Sequence, residues 1–226
     1  MTDHPGVVRV TATAVLFDMD GVLLDSTAAV EALWVAFATE HDLDPAAVVT
    51  DLHGRRMVDV MRVHLPGASA AELTAAVHRF EDAEVAGADR VRVLPGAAAL
   101  TATLAERPWG IVTSSNRVVA LARLAHSALP TPPVLVTADD VRRGKPAPDP
   151  YLQAAAALGV AASTAVVFED APAGITAARA AGCHVVALST SHGPGELTAA
   201  HLVIGDLAAV AAIPAADGGL ELHLRV

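Results

Sequence analysis

One cysteine in 226 residues excludes an intrachain disulfide and fits a reducing compartment. That residue, Cys183, lies in Ala180-Ala181-Gly182-Cys183-His184-Val185, a setting for a small buried hydrophobe rather than a nucleophile. Aromatic residues make up only 3% of a chain that is 53% hydrophobic, so the core has to be built mainly from Ala, Val and Leu. A formal charge of −10 disfavours nucleic acid or an anionic membrane surface as the main partner. No apolar run approaches membrane-spanning length, and no basic segment followed by an apolar one stands at the start; a cytoplasmic protein is the expectation. Lysine is the sharpest scarcity. Of 15 basic side chains, 14 are arginine and the remaining one is Lys145. Arginine cannot supply a lysine's compact point charge with three rotatable donors, which draws attention to that position.

What is present is organised around Val15-Leu16-Phe17-Asp18-Met19-Asp20-Gly21-Val22-Leu23. Its unbroken apolar start suits a strand buried on both faces, as in a parallel sheet. Strand geometry sends Asp18 and Asp20 to the same side, and Gly21 permits a sharp turn that a side chain would resist. A plain polar turn after a strand would use the same residue types.

Residues 1–13 read as a loose lead-in, with a first strand near 14–18. From about Ser26 the spacing turns helical: Val30, Leu33, Trp34 and Phe37 lie on one face. Asp44-Pro45 is a helix start, Met57, Val60, Met61 and Leu65 mark a further helix, and Ser69-Ala70-Ala71-Glu72 has the form of a capping box. Beyond Leu94-Pro95-Gly96, strands near 109–113, 134–136, 165–168, 184–188 and 202–204 alternate with helices. The expected fold class is therefore α/β: a parallel-sheet core from residues 1–26 and 94–226, interrupted by a helical domain at 27–93. The tail from Pro214 is less defined; alternation of Leu220, Leu222, Leu224 and Val226 fits an edge strand.

Each core strand leads at its carboxyl end into polar chemistry, the usual ligand position of open α/β sheets. The first gives Asp18 and Asp20, the second Thr113, Ser114 and Ser115, the third Lys145 by way of Asp139-Asp140 and Arg142-Arg143-Gly144, and the fourth Glu169 and Asp170. Singly, these could be helix caps, an exposed loop and a turn. Together at one sheet edge they argue for a single site. The acids at 18, 20, 169 and 170 form an oxygen-rich set suited to hard Mg²⁺, while hydroxyls, backbone N–H groups and Lys145 suit phosphoryl oxygens. The chain has no Cys/His metal cluster, serine elbow or P-loop, which leaves a carboxylate as nucleophile and an aspartyl-phosphate as intermediate.

Four segments in order resemble the haloacid dehalogenase-like superfamily: Phe17-Asp18-Met19-Asp20-Gly21-Val22, Val112-Thr113-Ser114, Gly144-Lys145-Pro146-Ala147-Pro148-Asp149, and Phe168-Glu169-Asp170-Ala171-Pro172-Ala173-Gly174. The resemblance spans nearly the whole chain, fading after about residue 212, and implies a Rossmann-like core with a small α-helical cap. It implies that Asp18 attacks phosphorus and that Asp20 is general acid, then base. Mg²⁺ would be held by the Asp18 side chain, the Asp20 backbone carbonyl and Asp170, with Glu169 assisting; Thr113, the Ser114 backbone and Lys145 would hold phosphate. Dehalogenating members lack the second acid, so Asp20 argues for phosphate esters. Asp25-Ser26, Trp34 and His53-Gly54-Arg55 look most like the sugar-phosphatase and glycerol-phosphate-phosphatase branch. The β-phosphoglucomutase branch is similar but carries a histidine where this chain has Val30. His53 and Arg55 are either substrate contacts or ordinary polar loop residues.

The expectation is thus a Mg²⁺-dependent phosphatase of small sugar or polyol phosphates, acting as a monomer or weak homodimer. A phosphomutase is the alternative. A non-catalytic phospho-sensing module is a third reading, disfavoured by the helical insert and by the early position of the acid.

Overall fold

The computed structural model describes residues 6–52, 54–215 and 219–226. Strands β1 (Val7–Ala12), β2 (Ala14–Phe17) and β3 (Leu24–Asp25) precede four helices: α1 (Thr27–Glu40), α2 (Pro45–Leu52), α3 (Met57–His64) and α4 (Ala70–Ala86). After β4 (Arg92–Val93) the two element types alternate through α5 (Ala97–Thr103), β5 (Trp109–Val112), α6 (Arg117–Ser127), β6 (Val134–Val136) and α7 (Asp149–Ala157). The alternation continues with β7 (Ala165–Glu169), α8 (Pro172–Ala180), β8 (His184–Leu188) and β9 (Leu202–Ile204). Strands β10 (Val210–Pro214) and β11 (Leu220–Arg225) end the chain.

Six of these strands form one parallel sheet in the order β6-β5-β2-β7-β8-β9. Every residue of β2, β5 and β7 is buried, which is why they read as continuous apolar runs rather than alternating ones. Alternation still decides the face. Ala14 and Leu16 join Tyr151, Ala154, Ile175 and Ala177 on the side covered by α7 and α8. Val15 and Phe17 join Leu100 of α5 and Ala120 of α6 on the other. Phe17 stacks on Phe168 at 5.3 Å between ring centroids, beneath the ends of β2 and β7. From β2 the chain builds outward through β5 and β6, then returns to place β7 on the opposite flank of β2. That reversal puts the crevice at the carboxyl ends of β5, β2 and β7.

The inserted helices close on their own apolar cluster, with Trp34, Phe37, Val60, Met61, Leu73 and Phe80 at its centre. Asp44 Oδ1 accepts from Ala46 N at 3.0 Å at the start of α2, and Ser69 with Glu72 forms the capping box of α4. Where the chain leaves and re-enters the core, β3 and β4 pair antiparallel, Leu24 opposite Val93 and Asp25 opposite Arg92.

Two expectations need correction. Residues 7–12 are not a lead-in but a strand, paired antiparallel with β11 from Val7↔Arg225 to Ala12↔Leu220. The tail is a strand, but it is the middle one of a second sheet ordered β1-β11-β10, not an edge. Leu220, Leu222 and Leu224 turn into the core on the α5 face. Only a partner about two hundred residues away gives β1 its hydrogen bonds, and local patterning carries no signal of that pairing.

Candidate active site

The crevice floor is assembled from strand ends. Asp18 follows β2, Glu169 ends β7 with Asp170 next, and Lys145 arrives from the loop after β6. Lys145 Nζ lies 3.0 Å from Asp18 Oδ1 and 2.6 Å from Glu169 Oε1, and donates to the Val112 carbonyl at 3.0 Å. Its three donors thus have three acceptors. Glu169 Oε1 also accepts from the Tyr151 hydroxyl at 2.6 Å, while Oε2 takes the backbone N–H groups of Asp170 and Ala171. Two glycines make the packing feasible. A Cβ at Gly174 would sit 1.7 Å from Glu169 Oε1, and one at Gly21, where φ is +77°, would sit 1.9 Å from Asp170 Oδ2.

Asp18, Glu169 and Asp170 are all buried, and each offers an oxygen within 4.8 Å of the others. Burial pushes the Asp18 carboxyl up to about 7; Lys145 opposes that rise, and Glu169 and Asp20 add to it. Asp170 is raised well above the usual carboxylate range by burial, then by Glu169 and Asp18. Burial works against the Lys145 ammonium, but the carboxylates of Asp18 and Glu169 overcome it and hold its pKa raised. Three close acids against one ammonium is an imbalance that a hard cation would relieve, and an all-oxygen donor set is the kind Mg²⁺ takes. The residues therefore fit a divalent metal, with Asp18, Asp170 and Glu169 as the side chains at hand.

The Asp20 side chain stands outside that close group of three while lining the same crevice as Asp18 and Asp170. Its Oδ1 accepts from Ser26 Oγ at 2.7 Å and from Arg123 Nη1 at 2.8 Å, and its Oδ2 accepts from Ser115 Oγ at 3.1 Å. The reason is geometric: Gly21 turns the chain at once, an isolated bridge joins Asp20 to Leu24, and the carboxylate faces the hinge and α6. Arg123 reaches on through Nη2 to Glu84 Oε1 of the insert at 2.7 Å. Burial pushes Glu84 up to about 7 although Arg123 opposes it.

Thr113 and Ser114 stand at the same edge. Thr113 Oγ1 accepts from Ser115 N at 3.0 Å, and Ser114 Oγ donates to the Gly54 carbonyl of the insert at 2.9 Å. Arg55 lines the crevice from above with Val30, Trp34, Met57 and Phe80. His53, expected beside it, lies outside the described residues. Sequence reasoning overlooked Tyr151, Arg123 and Glu84. A signal existed for each: Tyr151 is the only tyrosine, and a buried one needs a partner for its hydroxyl. Arg123 continues the inward face of Val119 and Ala120, and Glu84 that of Leu73, Ala76 and Phe80, so each helix carries a charge where its apolar stripe should run.

With that geometry in view, comparisons with known proteins agree. Residues 12–182 match the family model described as haloacid dehalogenase-like hydrolase. Hexitol phosphatase A of Escherichia coli (strain K12) is 43% identical over 194 residues, covering 85% of this chain and 90% of that protein. Glycerol-1-phosphate phosphohydrolase 2 of Saccharomyces cerevisiae is 34% identical over 203 residues, covering 84% of this chain and 79% of that one. Among solved structures, a hydrolase from Pseudomonas syringae superposes with a TM-score of 0.79 at 26% identity, covering 87% of this chain and 94% of that one. No described helix is long and apolar enough to cross a membrane. An acidic floor with one buried lysine, set at the switch point of a parallel sheet, is thus found in a chain that belongs to the haloacid dehalogenase-like hydrolases.

Proposed function

We propose that the protein is a metal-dependent phosphatase of small sugar or polyol phosphates, working through a phosphorylated Asp18. The observation that carries the reading is Asp18 itself: buried at the end of the central strand, 3.0 Å from the solitary lysine and beside two further acids. An Asp18 oxygen attacks phosphorus, the bond from phosphorus to the ester oxygen breaks, and Asp20 gives its proton to the departing alkoxide. Water then attacks the aspartyl-phosphate, Asp20 takes the water's proton, and phosphate leaves as the Asp18 carboxylate is restored. Alkoxides leave poorly without a proton, and general acid catalysis contributes about 10²–10⁴-fold. Lys145, Thr113 and the Ser114 backbone face the transferred group's charge. Bound at Asp18, the Asp20 carbonyl and Asp170, with Glu169 behind them, Mg²⁺ would neutralise the acids and shield the incoming dianion.

The helical insert acts as a cap. Its contacts with the core, Ser114 to Gly54, Arg123 to Glu84 and Arg56 Nη1 to the Val141 carbonyl at 3.2 Å, hold it over the crevice, where it excludes water. Arg55 and His53 are the proposed substrate contacts. The hexitol and the glycerol-1-phosphate in the names of the two curated relatives support the polyol side of this substrate class. The test is phosphate release from a panel of sugar and polyol phosphates, with and without Mg²⁺. Metal-dependent release from several members is expected; isomerisation of a sugar phosphate without release would replace this reading with the mutase one.

A further inference from the structure

We infer that Arg123 is a positioning residue that ties the aim of Asp20 to closure of the helical insert, through the bridge Asp20–Arg123–Glu84. The inference rests on Asp20 being the proton donor. Arg123 belongs to α6 of the core and is only 3% exposed, yet its two terminal nitrogens face different parts of the molecule. Nη1 holds Asp20 Oδ1 at 2.8 Å and lies 3.2 Å from Ser115 Oγ, while Nη2 holds Glu84 Oε1 at 2.7 Å. Oδ1 also accepts from Ser26 at the start of the insert and Oδ2 from Ser115, so the carboxylate is held by two groups from the core and one from the hinge, and Arg123 is the charged one among them.

Stability explains this arrangement poorly. Arg123 Nε is buried without a hydrogen-bond partner, and buried charge networks are often replaced by apolar side chains at no loss. The planar fork of a guanidinium explains it well, because its two terminal nitrogens are held apart in one rigid plane and reach carboxylates on two different elements. An ammonium instead needs both acceptors to converge on one nitrogen, as they do at Lys145. Glu84 sits on α4, which packs on α6. When the insert shifts, Glu84 moves with it, Arg123 loses one of its two anchors, and Asp20 loses its fixed aim.

The test compares kcat/KM, which reports steps through transfer to Asp18, for a polyol phosphate and for p-nitrophenyl phosphate, whose leaving group needs little protonation. Arg123→Met, the double variant Arg123→Met/Glu84→Gln, Glu84→Ala and Asp20→Asn are measured beside the parent. The double variant removes both charges of the buried Arg123–Glu84 pair and leaves Asp20 the hydroxyls of Ser26 and Ser115, so it separates positioning from folding. Both Arg123 variants are expected to lose about 10²-fold more on the polyol phosphate than on the aryl phosphate. Glu84→Ala should lose selectively in the same direction, by about tenfold. Equal losses on the two substrates in the double variant, while Asp20→Asn still loses selectively, would overturn the positioning role and leave the acid in place. Absence of selective loss in Glu84→Ala would overturn the link to the insert. An Asp20→Asn variant without selective loss would remove the acid assignment, and this inference with it.

Discussion

Two charged groups share the crevice and are built on different principles. The floor, Asp18, Lys145, Tyr151, Glu169 and Asp170, draws every member from the core and sets three acids against one ammonium. The bridge, Asp20, Ser26, Ser115, Arg123 and Glu84, spans core and insert and sets two acids against one guanidinium and two hydroxyls. The floor gathers at the ends of buried parallel strands, with Lys145 reaching in from the loop after β6 and Tyr151 from α7, and its excess charge invites a cation. The bridge is nearly balanced and depends on where the insert lies. The floor therefore comes from one part of the fold, and the bridge joins two.

That contrast can be broken from the floor first. Asp18→Asn removes the proposed nucleophile and is expected to lower turnover on the order of 10⁴-fold or more on alkyl and aryl phosphates alike. Steady-state phosphate release checks this, and undiminished turnover would end the nucleophile assignment. Bridge variants should by contrast lose kcat/KM selectively on the alkyl phosphate.

Gly174→Ala is the next largest. Its Cβ would lie 1.7 Å from a carboxylate oxygen already fixed by Lys145 and Tyr151, so neither side can yield cheaply. A loss of about 2–4 kcal/mol in stability is expected, read by denaturant unfolding, with turnover falling alongside. Retention of both would mean that the floor is softer than its packing implies.

The smallest effect sharpens the electrostatic side. Asp170 has its carboxyl raised by burial and by Glu169 and Asp18, so the folded state binds its proton more tightly than the unfolded chain. The stability it contributes is present below the unfolded carboxylate range and is lost as pH rises through the folded value. In metal-free protein, Asp170→Asn should therefore raise the melting temperature by about 3 °C at pH 8 and leave it unchanged near pH 4. Mg²⁺ should stabilise the parent at pH 8 and fail to stabilise the variant. A variant less stable than the parent in metal-free buffer at pH 8 would contradict the charge-imbalance account.

Much of the floor was legible because its residues follow buried strands, whose apolar runs are visible locally and whose carboxyl ends form one edge in any parallel sheet. The scarcity of lysine pointed at Lys145, and in the fold three acceptors converge on its amine. The bridge was not legible. Arg123 and Glu84 each stand out as a charge on an apolar helix face, but 39 residues separate them in sequence, and nothing in either helix names the other. The same holds for β1, whose partner lies at the far end of the chain.

By itself, then, the sequence determined the alternation of strands and helices, the helical interruption, and which residue types would meet at the sheet edge. These follow from periodicity, turn chemistry and the rule that ligands gather where parallel strands end. Only the tertiary structure decided that Asp20 parts company with the other acids, that one arginine joins it to the insert, and that the two ends of the chain pair in a second sheet. Those outcomes rest on contacts between distant segments, where packing chooses among partners that local pattern leaves equivalent.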